Sequence, residues 1–218
     1  SIPALRGIRK LLTLPGDRVP FESSSQYWTE RYERGGDSGE GSYGPLARYK
    51  ASFINGFCQE HQIGSAIEFG CGDGNQASMF EINAYVGVDI SEKCISWARE
   101  HFDRPGWQFL TLDEYHQTTV APSDLALSLD VVYHLVEDET YLAYLEDLFR
   151  SSSRYVLIYA SNFDHFDPKV PHVRHRKVVE DVEQLHPNWR LIATEDNPYS
   201  KKHDSESEYG SFANFHVF

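Results

Sequence analysis

The sequence is poor in several features that would assign a protein to a class at once. Its 218 residues contain three cysteines and one methionine. Cys58, Cys71 and Cys94 are odd in number and lack the spacing of a metal site, so we expect free thiols in a reducing compartment and no bound metal. No apolar run approaches the length of a membrane span, and no secretory segment opens the chain. These absences predict a soluble, cytoplasmic protein.

Positive charge is scarce as well. The chain has 20 lysines and arginines against 33 aspartates and glutamates, a formal net charge of -13. Nucleic-acid binding requires clustered cations along the phosphates, so a DNA or RNA substrate is disfavoured. What the chain has instead is 40% hydrophobic residues, enough for a substantial core in a protein of this length.

The pattern along the chain predicts an N-terminal helical extension at residues 1–60 and one globular unit at residues 61–218. Residues 5–14 have the pattern of a short basic amphipathic helix, which suits docking on the domain or on a partner, or a membrane surface. Residues 35–44 contain five glycines between aromatic stretches. This loop is either a hinged lid or a plain surface connection.

Strands and helices alternate after residue 60, which is typical of a parallel sheet. We predict strands at about 65–69, 85–89, 107–111, 124–129 and 154–160, and two late strands within 189–195 and 212–218. Helices are predicted at 45–62, after Ser91, at 138–150 and at 178–185, with an irregular stretch between the fifth strand and the last helix.

The most informative segment, residues 66–75, reads Ala-Ile-Glu-Phe-Gly-Cys-Gly-Asp-Gly-Asn. Two apolar residues lead into an acid, and three glycines follow at alternate positions. This predicts a buried strand, a tight turn where a ligand can lie against bare backbone, and then a helix start. The next apolar run ends in Asp89, a carboxylate suited to a ribose diol.

The spacing of the glycines indicates which nucleoside is bound. A dinucleotide fingerprint has the form G-x-G-x-x-G, whereas Asn75 stands where its third glycine belongs. Glu68 and Asp73 flank the loop and would be unfavourable beside a pyrophosphate but favourable beside a cation. The loop resembles motif I of the class I S-adenosylmethionine-dependent methyltransferases, whose cofactor carries a sulfonium and an ammonium.

This resemblance implies a Rossmann-like, doubly wound α/β fold. It implies a mostly parallel seven-stranded sheet with an antiparallel last strand, with the N-terminal helices as a lid. S-adenosylmethionine would be the cofactor and S-adenosylhomocysteine the product. By similarity to the family, the residues expected to contact the cofactor are Glu68, Gly70, Cys71, Gly72, Gly74, Asn75, Asp89, Ile90, Asp113, Leu129 and Asp130. Asp113 either reaches the adenine or lies in a solvated turn.

His134 is the most attractive candidate for a base, because it falls about one helical turn after the fourth strand. It is either a base or a structural histidine, since many family members carry one here in another role. His172 and His175 are further candidate bases.

Four residues are candidates for substrate binding: Tyr43, Tyr133, Arg174 and Arg176. The two arginines lie in a basic segment, residues 169–177, just before a predicted helix. They would bind an anion there together with the first backbone N–H groups, or pair with acids of the same chain.

Taken together, these features predict a methyltransferase acting on a small molecule or glycan, by O-methylation of a sugar or a sugar-like anionic acceptor. Asp130-Val131-Val132-Tyr133 stands where base-amino methyltransferases have an NPPY-type tetrapeptide, which argues against a nucleobase. The alternative is a non-catalytic cofactor-binding partner in a biosynthetic complex. The sequence leaves the oligomeric state open.

Overall fold

A computed structural model describes residues 21–200 and 211–218. Its strands are β1 (Ser65–Phe69), β2 (Ala84–Asp89), β3 (Trp107–Thr111), β4 (Ser123–Leu129), β5 (Ser152–Ala160), β6 (Asn162–Phe166), β7 (Arg174–Lys177), β8 (Ala193–Glu195) and β9 (Asn214–Val217). Its α-helices are α1 (Ser24–Glu33), α2 (Gly44–His61), α3 (Glu92–His101), α4 (Leu112–Gln117), α5 (Asp138–Arg150) and α6 (Val178–Leu185). The helix predicted at residues 5–14 lies outside the described residues. None of the described helices is long and apolar enough to cross a bilayer.

Seven strands form one sheet in the order β3-β2-β1-β4-β5-β9-β8. The pairs from β3 to β5 are all parallel, whereas β9 runs antiparallel to both β5 and β8. The predicted doubly wound sheet with an antiparallel last strand is therefore confirmed. Because β1 lies between β2 and β4, the strand order reverses at β1, and a crevice opens beyond the carboxyl ends of these three strands.

Both faces of the sheet are buried. One face carries Ala66 and Leu127 and packs against α2 through Ile54. The other carries Ile67 and packs against α5 through Leu145. The near-continuous apolar runs of β1 and β4 reflect this double burial, as expected for strands in a parallel sheet.

Helix α2 belongs to the predicted N-terminal extension, and the division at residue 60 stays a prediction. The structure nevertheless packs this helix with the sheet, because Ala51, Ile54 and Cys58 are buried in the same cluster as the strands. The helix ends at Gln62, whose φ of 54° is left-handed. A turn of this kind closes a helix and lets the chain enter β1 directly.

Two predictions about local structure were wrong. The helix expected after the glycine turn is a single 3-10 turn, Ala77–Met79. Fourteen residues separate β1 from β2, and the glycine turn uses five of them, which leaves little chain for a helix. The side chain of Gln76 donates a hydrogen bond to the carbonyl of Ala47, so α2 lies against this connection where the helix was expected. The stretch expected to be irregular contains the antiparallel hairpin of β6 and β7.

The burial of α2 can be tested by truncating one side chain. Ile54→Ala removes apolar atoms from a fully buried position, and we expect it to lower the free energy of unfolding by about 2–5 kcal/mol. Ile192→Ala is the matched control, since Ile192 is 64% exposed and surface changes usually stay within about 0.5 kcal/mol. Urea unfolding of both variants measures the difference; equal values would contradict a core role for α2.

Candidate active site

The glycine loop follows β1 at the crevice and depends on backbone conformations that other residues rarely adopt. Gly70 and Gly72 have φ values of 80° and 56°. A Cβ atom at Gly70 would overlap the side chain of Val131, and one at Gly72 would lie 2.9 Å from the hydroxyl of Tyr32. Side chains are therefore excluded at both positions for reasons of conformation and of space.

Asp89, the last residue of β2, faces this loop. Its carboxylate accepts hydrogen bonds of 2.9 Å from the backbone N–H of Gly72 and of 2.9 Å from that of Ser91. Burial raises the pKa of this carboxyl, while the backbone donors at Ser91 and Gly72 act in the opposite direction. The side chain thus ties the second strand to the glycine loop and lines the cleft.

The cleft runs from β2 to the loop after β4. Ile90, Leu112 and Leu129 line it beside Asp89 and provide apolar surface suited to a flat ring. Asp113 is exposed at the start of α4, one residue beyond the lining residue Leu112. Its predicted contact with an adenine stays a prediction.

The cleft lining contains five of the predicted cofactor residues: Gly70, Asp89, Ile90, Leu129 and Asp130. Cys71 and Glu68 are among those that lie against the protein instead. Cys71 is buried, and a Cβ at Gly87 of β2 would come within 2.9 Å of its sulfur, so the thiol packs against the sheet. Glu68 is buried in β1 and accepts a hydrogen bond from the hydroxyl of Tyr85. Burial raises the pKa of Glu68 to about 7.

Asp130 is the first residue after β4 and projects into the cleft lining from a strained position. Its φ of 61° is left-handed. One carboxylate oxygen accepts a 2.6 Å hydrogen bond from Tyr133, and the other lies 2.6 Å from the ammonium of Lys50. Lys50 is fully buried in α2 and its ammonium lies 5.3 Å from the centre of the Tyr159 ring.

Sequence reasoning missed Lys50, although a signal was present. Leu46, Lys50 and Ile54 fall four residues apart and share one face of α2. The first and third are buried apolar residues, so a lysine between them must be buried with them. A cation in that position requires a carboxylate partner, which the sequence does not identify because Asp130 is 80 residues away.

His134 lines the cleft beside Asp130. Its Nδ1 lies 3.0 Å from the backbone carbonyl of His172, and since a carbonyl oxygen only accepts, Nδ1 carries the proton. Burial lowers the pKa of His134 to about 4, so the ring is neutral near pH 7 and Nε2 keeps a lone pair. The ring packs at 4.7 Å against Trp28 of α1.

The other two candidate histidines lie outside the cleft lining. His172 stacks on Tyr27 of α1 at 4.5 Å; its backbone carbonyl contacts His134 Nδ1, and its ring lies parallel to the His134 ring at 6.0 Å. The Nδ1 of His175 lies 2.6 Å from the hydroxyl of Ser161. The His175 ring lines a second, aromatic cavity beside Phe163. Neither imidazole meets the cofactor cleft directly, and their predicted role as bases has no support from position.

Arg174 and Arg176 are engaged within the chain, which favours the second of the two alternatives raised by the sequence. Both guanidinium groups contact the same oxygen of Asp138, at 2.9 Å and 2.6 Å. Arg176 also donates to the carbonyls of Leu135 and Val136. These bonds fasten the β6–β7 hairpin to the loop before α5, so the arginines hold structure together where an anion was expected.

The N-terminal segment closes over the cleft and joins its two ends. At the β4 end, Ser24 of α1 donates its backbone N–H to Glu137 and accepts from the N–H of Val136. At the glycine loop, the hydroxyl of Ser38 accepts from the N–H of Asp73.

Two of the predicted residues take part in the same closure. Tyr43 donates to the carboxylate of Asp73, and Asn75 donates to the carbonyl of Ser42. Both therefore join the glycine-rich segment to the glycine loop. These contacts hold the glycine-rich segment at one end of the cleft, and its movement as a lid stays a prediction.

A glycine loop, a carboxylate at the end of β2 and a lidded crevice at the switch point define a nucleoside-binding α/β fold. Residues 66–154 match the family model described as a methyltransferase domain. In the part of the chain that the structure describes, the cleft lining contains no lysine or arginine, which fits a cofactor without phosphates. Residues 66–154 therefore form a methyltransferase domain of the class I, S-adenosylmethionine-dependent kind, with S-adenosylmethionine as the cofactor.

Solved structures with the same fold share little sequence with this chain. The N-methyltransferase NodS from Bradyrhizobium japonicum WM9, in complex with S-adenosylhomocysteine, is 13% identical with a TM-score of 0.66, over 90% of this chain and 98% of that chain. The magnesium protoporphyrin IX methyltransferase (ChlM) from Synechocystis PCC 6803, with bound S-adenosylhomocysteine, is 15% identical with a TM-score of 0.60, over 88% and 96%. One neighbour is an N-methyltransferase and the other is a magnesium protoporphyrin IX methyltransferase, so the shared fold does not identify the acceptor of this chain.

The predicted ribose contact can be tested at Asp89. Removing a charged hydrogen-bond acceptor with Asp89→Ala is expected to weaken S-adenosylhomocysteine binding about 10- to 100-fold, measured by titration calorimetry. Asp103→Ala, at an exposed loop position, is the control and should bind as the unmodified protein does. Unchanged affinity in Asp89→Ala would remove Asp89 from the cofactor site.

The pKa of Glu68 predicts how stability changes with pH. The folded carboxyl keeps its proton up to about pH 7, while the unfolded one loses it near its usual 4.5, so this group destabilises the folded state as pH rises through that window. Glu68→Gln removes the effect. We compare the free energy of unfolding of Glu68→Gln with that of the unmodified protein. This difference should be roughly 3 kcal/mol more favourable to the variant at pH 8 than near pH 4.5. Urea unfolding without cofactor at the two pH values measures it, and a pH-independent difference would contradict the shifted pKa.

Proposed function

We propose that this methyltransferase transfers a methyl group to a hydroxyl oxygen of a small, neutral, polar acceptor, such as a sugar or a sugar-bearing molecule. The observation that carries this proposal is the state of His134 at the cleft. Its proton sits on Nδ1 and its pKa is about 4, so Nε2 is an uncharged hydrogen-bond acceptor across the physiological range. A hydroxyl is the nucleophile that such a nitrogen can orient.

The chain's own residues would contribute mainly by holding the acceptor hydroxyl in the correct position and orientation. Bound S-adenosylmethionine supplies an electrophilic methyl group on a sulfonium. Nε2 of His134 would accept the hydrogen bond of the acceptor hydroxyl and direct an oxygen lone pair toward the methyl carbon. As the bond from the methyl carbon to oxygen forms, its bond to sulfur would break to leave the neutral thioether, and the hydroxyl proton would move to Nε2 and from there to water. The low pKa of the ring makes orientation its larger contribution.

The lid supports a small acceptor, or a slender end of a larger one. Trp28 and Ser24 of α1 form part of the wall of the cleft, and the contacts of Ser38 with the glycine loop close its other end. Water exclusion suits a step in which positive charge on sulfur disappears. The anionic acceptor that the basic segment suggested has lost its support, because Arg174 and Arg176 are paired with Asp138.

The acceptor class can be identified by label transfer. Methyl-labelled S-adenosylmethionine is incubated with the protein and a fractionated cell extract, and label is expected in a sugar-bearing small-molecule fraction. The Asp89→Ala protein is the control and should transfer little. Label confined to protein or RNA would keep the enzyme and overturn the acceptor. Tight S-adenosylhomocysteine binding without label in any fraction would favour a non-catalytic partner.

The role of His134 is tested by a pair of substitutions. In His134→Asn the amide retains a donor near the Nδ1 position but offers nothing near Nε2, and we expect kcat for the labelled acceptor to fall on the order of 100-fold. His134→Gln places its amide near Nε2 and should retain more activity. With a pKa of about 4, His134 should produce no acidic limb in kcat/KM between pH 5.5 and 8.

The control for this pair is His101→Asn, at an exposed position of α3 that stacks on Trp97. It should leave kcat unchanged. If His134→Asn kept full activity, or if His134→Gln lost more activity than His134→Asn, the orienting role of Nε2 would be wrong.

A further inference from the structure

Lys50 has a chemical consequence that goes beyond the proposed reaction. We infer that Lys50 neutralises Asp130 and thereby makes the acceptor end of the cleft select a neutral hydroxyl over a protonated amine. The inference rests on the proposed function, which supplies the acceptor class. The contact between Lys50 and Asp130 is independent of that proposal. Lys50 acts here as a positioning residue, because it acts through Asp130.

The location of Asp130 follows from the topology of the sheet. Asp89 ends β2 and Asp130 follows β4, with β1 between them. Neighbouring strands lie about 4.8 Å apart, so the two carboxylates are roughly 10 Å apart across the crevice. With the ribose at Asp89, we place the methyl position at the Asp130 end of the crevice. The backbone N–H of Asp130 donates to the carbonyl of Tyr159, which fixes it on the β5 side.

The charge at this end of the cleft depends on the ion pair. Among the lining residues that the structure describes, the carboxylates are Asp89 and Asp130. Asp89 is occupied by backbone N–H groups, whereas Asp130 faces the Lys50 ammonium at 2.6 Å. An unpaired carboxylate in a cleft with a mostly apolar lining would attract any cation strongly. Paired with a fully buried ammonium, Asp130 keeps lone pairs for a hydroxyl but has little net attraction for an ammonium.

Several contacts hold this pair in one arrangement. The second oxygen of Asp130 accepts from Tyr133, and Gly41 of the lid lies so close that a Cβ there would be 2.6 Å from the carboxylate. The left-handed φ of Asp130 is a conformation that costs free energy in a non-glycine residue, and surrounding contacts must maintain it. The arrangement is therefore a fixed feature of the closed cleft.

The test compares two ligands that differ in charge at the methyl position. S-adenosylhomocysteine is neutral there, whereas sinefungin carries an amine-bearing carbon in place of the sulfur and so presents an ammonium. Titration calorimetry gives the ratio of the Kd for S-adenosylhomocysteine to the Kd for sinefungin. In Lys50→Met the unpaired carboxylate should favour sinefungin and raise this ratio on the order of ten-fold or more.

Two further variants separate charge from structure. Asp130→Asn leaves the ammonium unpaired and should lower the ratio on the order of ten-fold. The double variant Lys50→Met with Asp130→Asn restores neutrality and should return the ratio to within about three-fold of the original, which a purely structural defect would not do. Lys93→Met removes a lysine that donates to the carbonyls of Tyr32 and Glu33 in α1, and it should leave the ratio unchanged.

Opposite shifts in the two single variants, with recovery in the double variant, support the inference. A ratio that stays within three-fold of the original in either single variant, when circular dichroism shows native folding, overturns it. Failure of the unmodified protein to bind either ligand would overturn the proposed function itself, and so the two failures are distinguishable.

Discussion

The constraint on which the site depends is the placement of three carboxylates near the ends of adjacent parallel strands, two of them buried and the third partly buried. Glu68, Asp89 and Asp130 cannot all ionise in a low-dielectric crevice without compensation. The structure satisfies each one differently: a raised pKa and a tyrosine donor for Glu68, backbone N–H groups for Asp89, and the Lys50 ammonium for Asp130. Near pH 7 the first carboxyl is only partly ionised, the second is held by backbone donors, and the third is balanced by a partner from another helix.

The same arrangement explains why the N-terminal segment is part of the site. Helix α2 fills one face of the sheet and delivers Lys50 to the end of β4. The lid that precedes α2 then bonds to the glycine loop through Ser38, and α1 reaches the loop after β4 through Ser24. The segment predicted as an N-terminal extension with a lid therefore forms part of the cleft wall and supplies the cation beside Asp130. The contacts that cover the cleft and the positive charge beside Asp130 thus both come from residues 24–50.

Local patterns predicted the strands, the glycine loop and Asp89, because all of these depend on neighbours within about 25 residues. The hairpin β6–β7 escaped prediction, since its pairing couples strands of charged and half-exposed residues with no apolar alternation. The helix expected after the glycine loop failed because α2 already occupies that face of the sheet. Lys50 and Asp130 are separated by 80 residues, so only the folded topology brings the pair together.

These distances in sequence also bear on how one fold serves different acceptors. The methyltransferase match covers residues 66–154, from β1 into β5, and this region holds the glycine loop, Asp89 and Asp130. Lys50, the lid and the His172 carbonyl that fixes the tautomer of His134 all lie outside it. The first group contains the predicted cofactor contacts, whereas the partner of Asp130 and the acceptor of the His134 Nδ1 proton come from the second. We therefore expect acceptor selection to depend on these segments more than on the shared sheet.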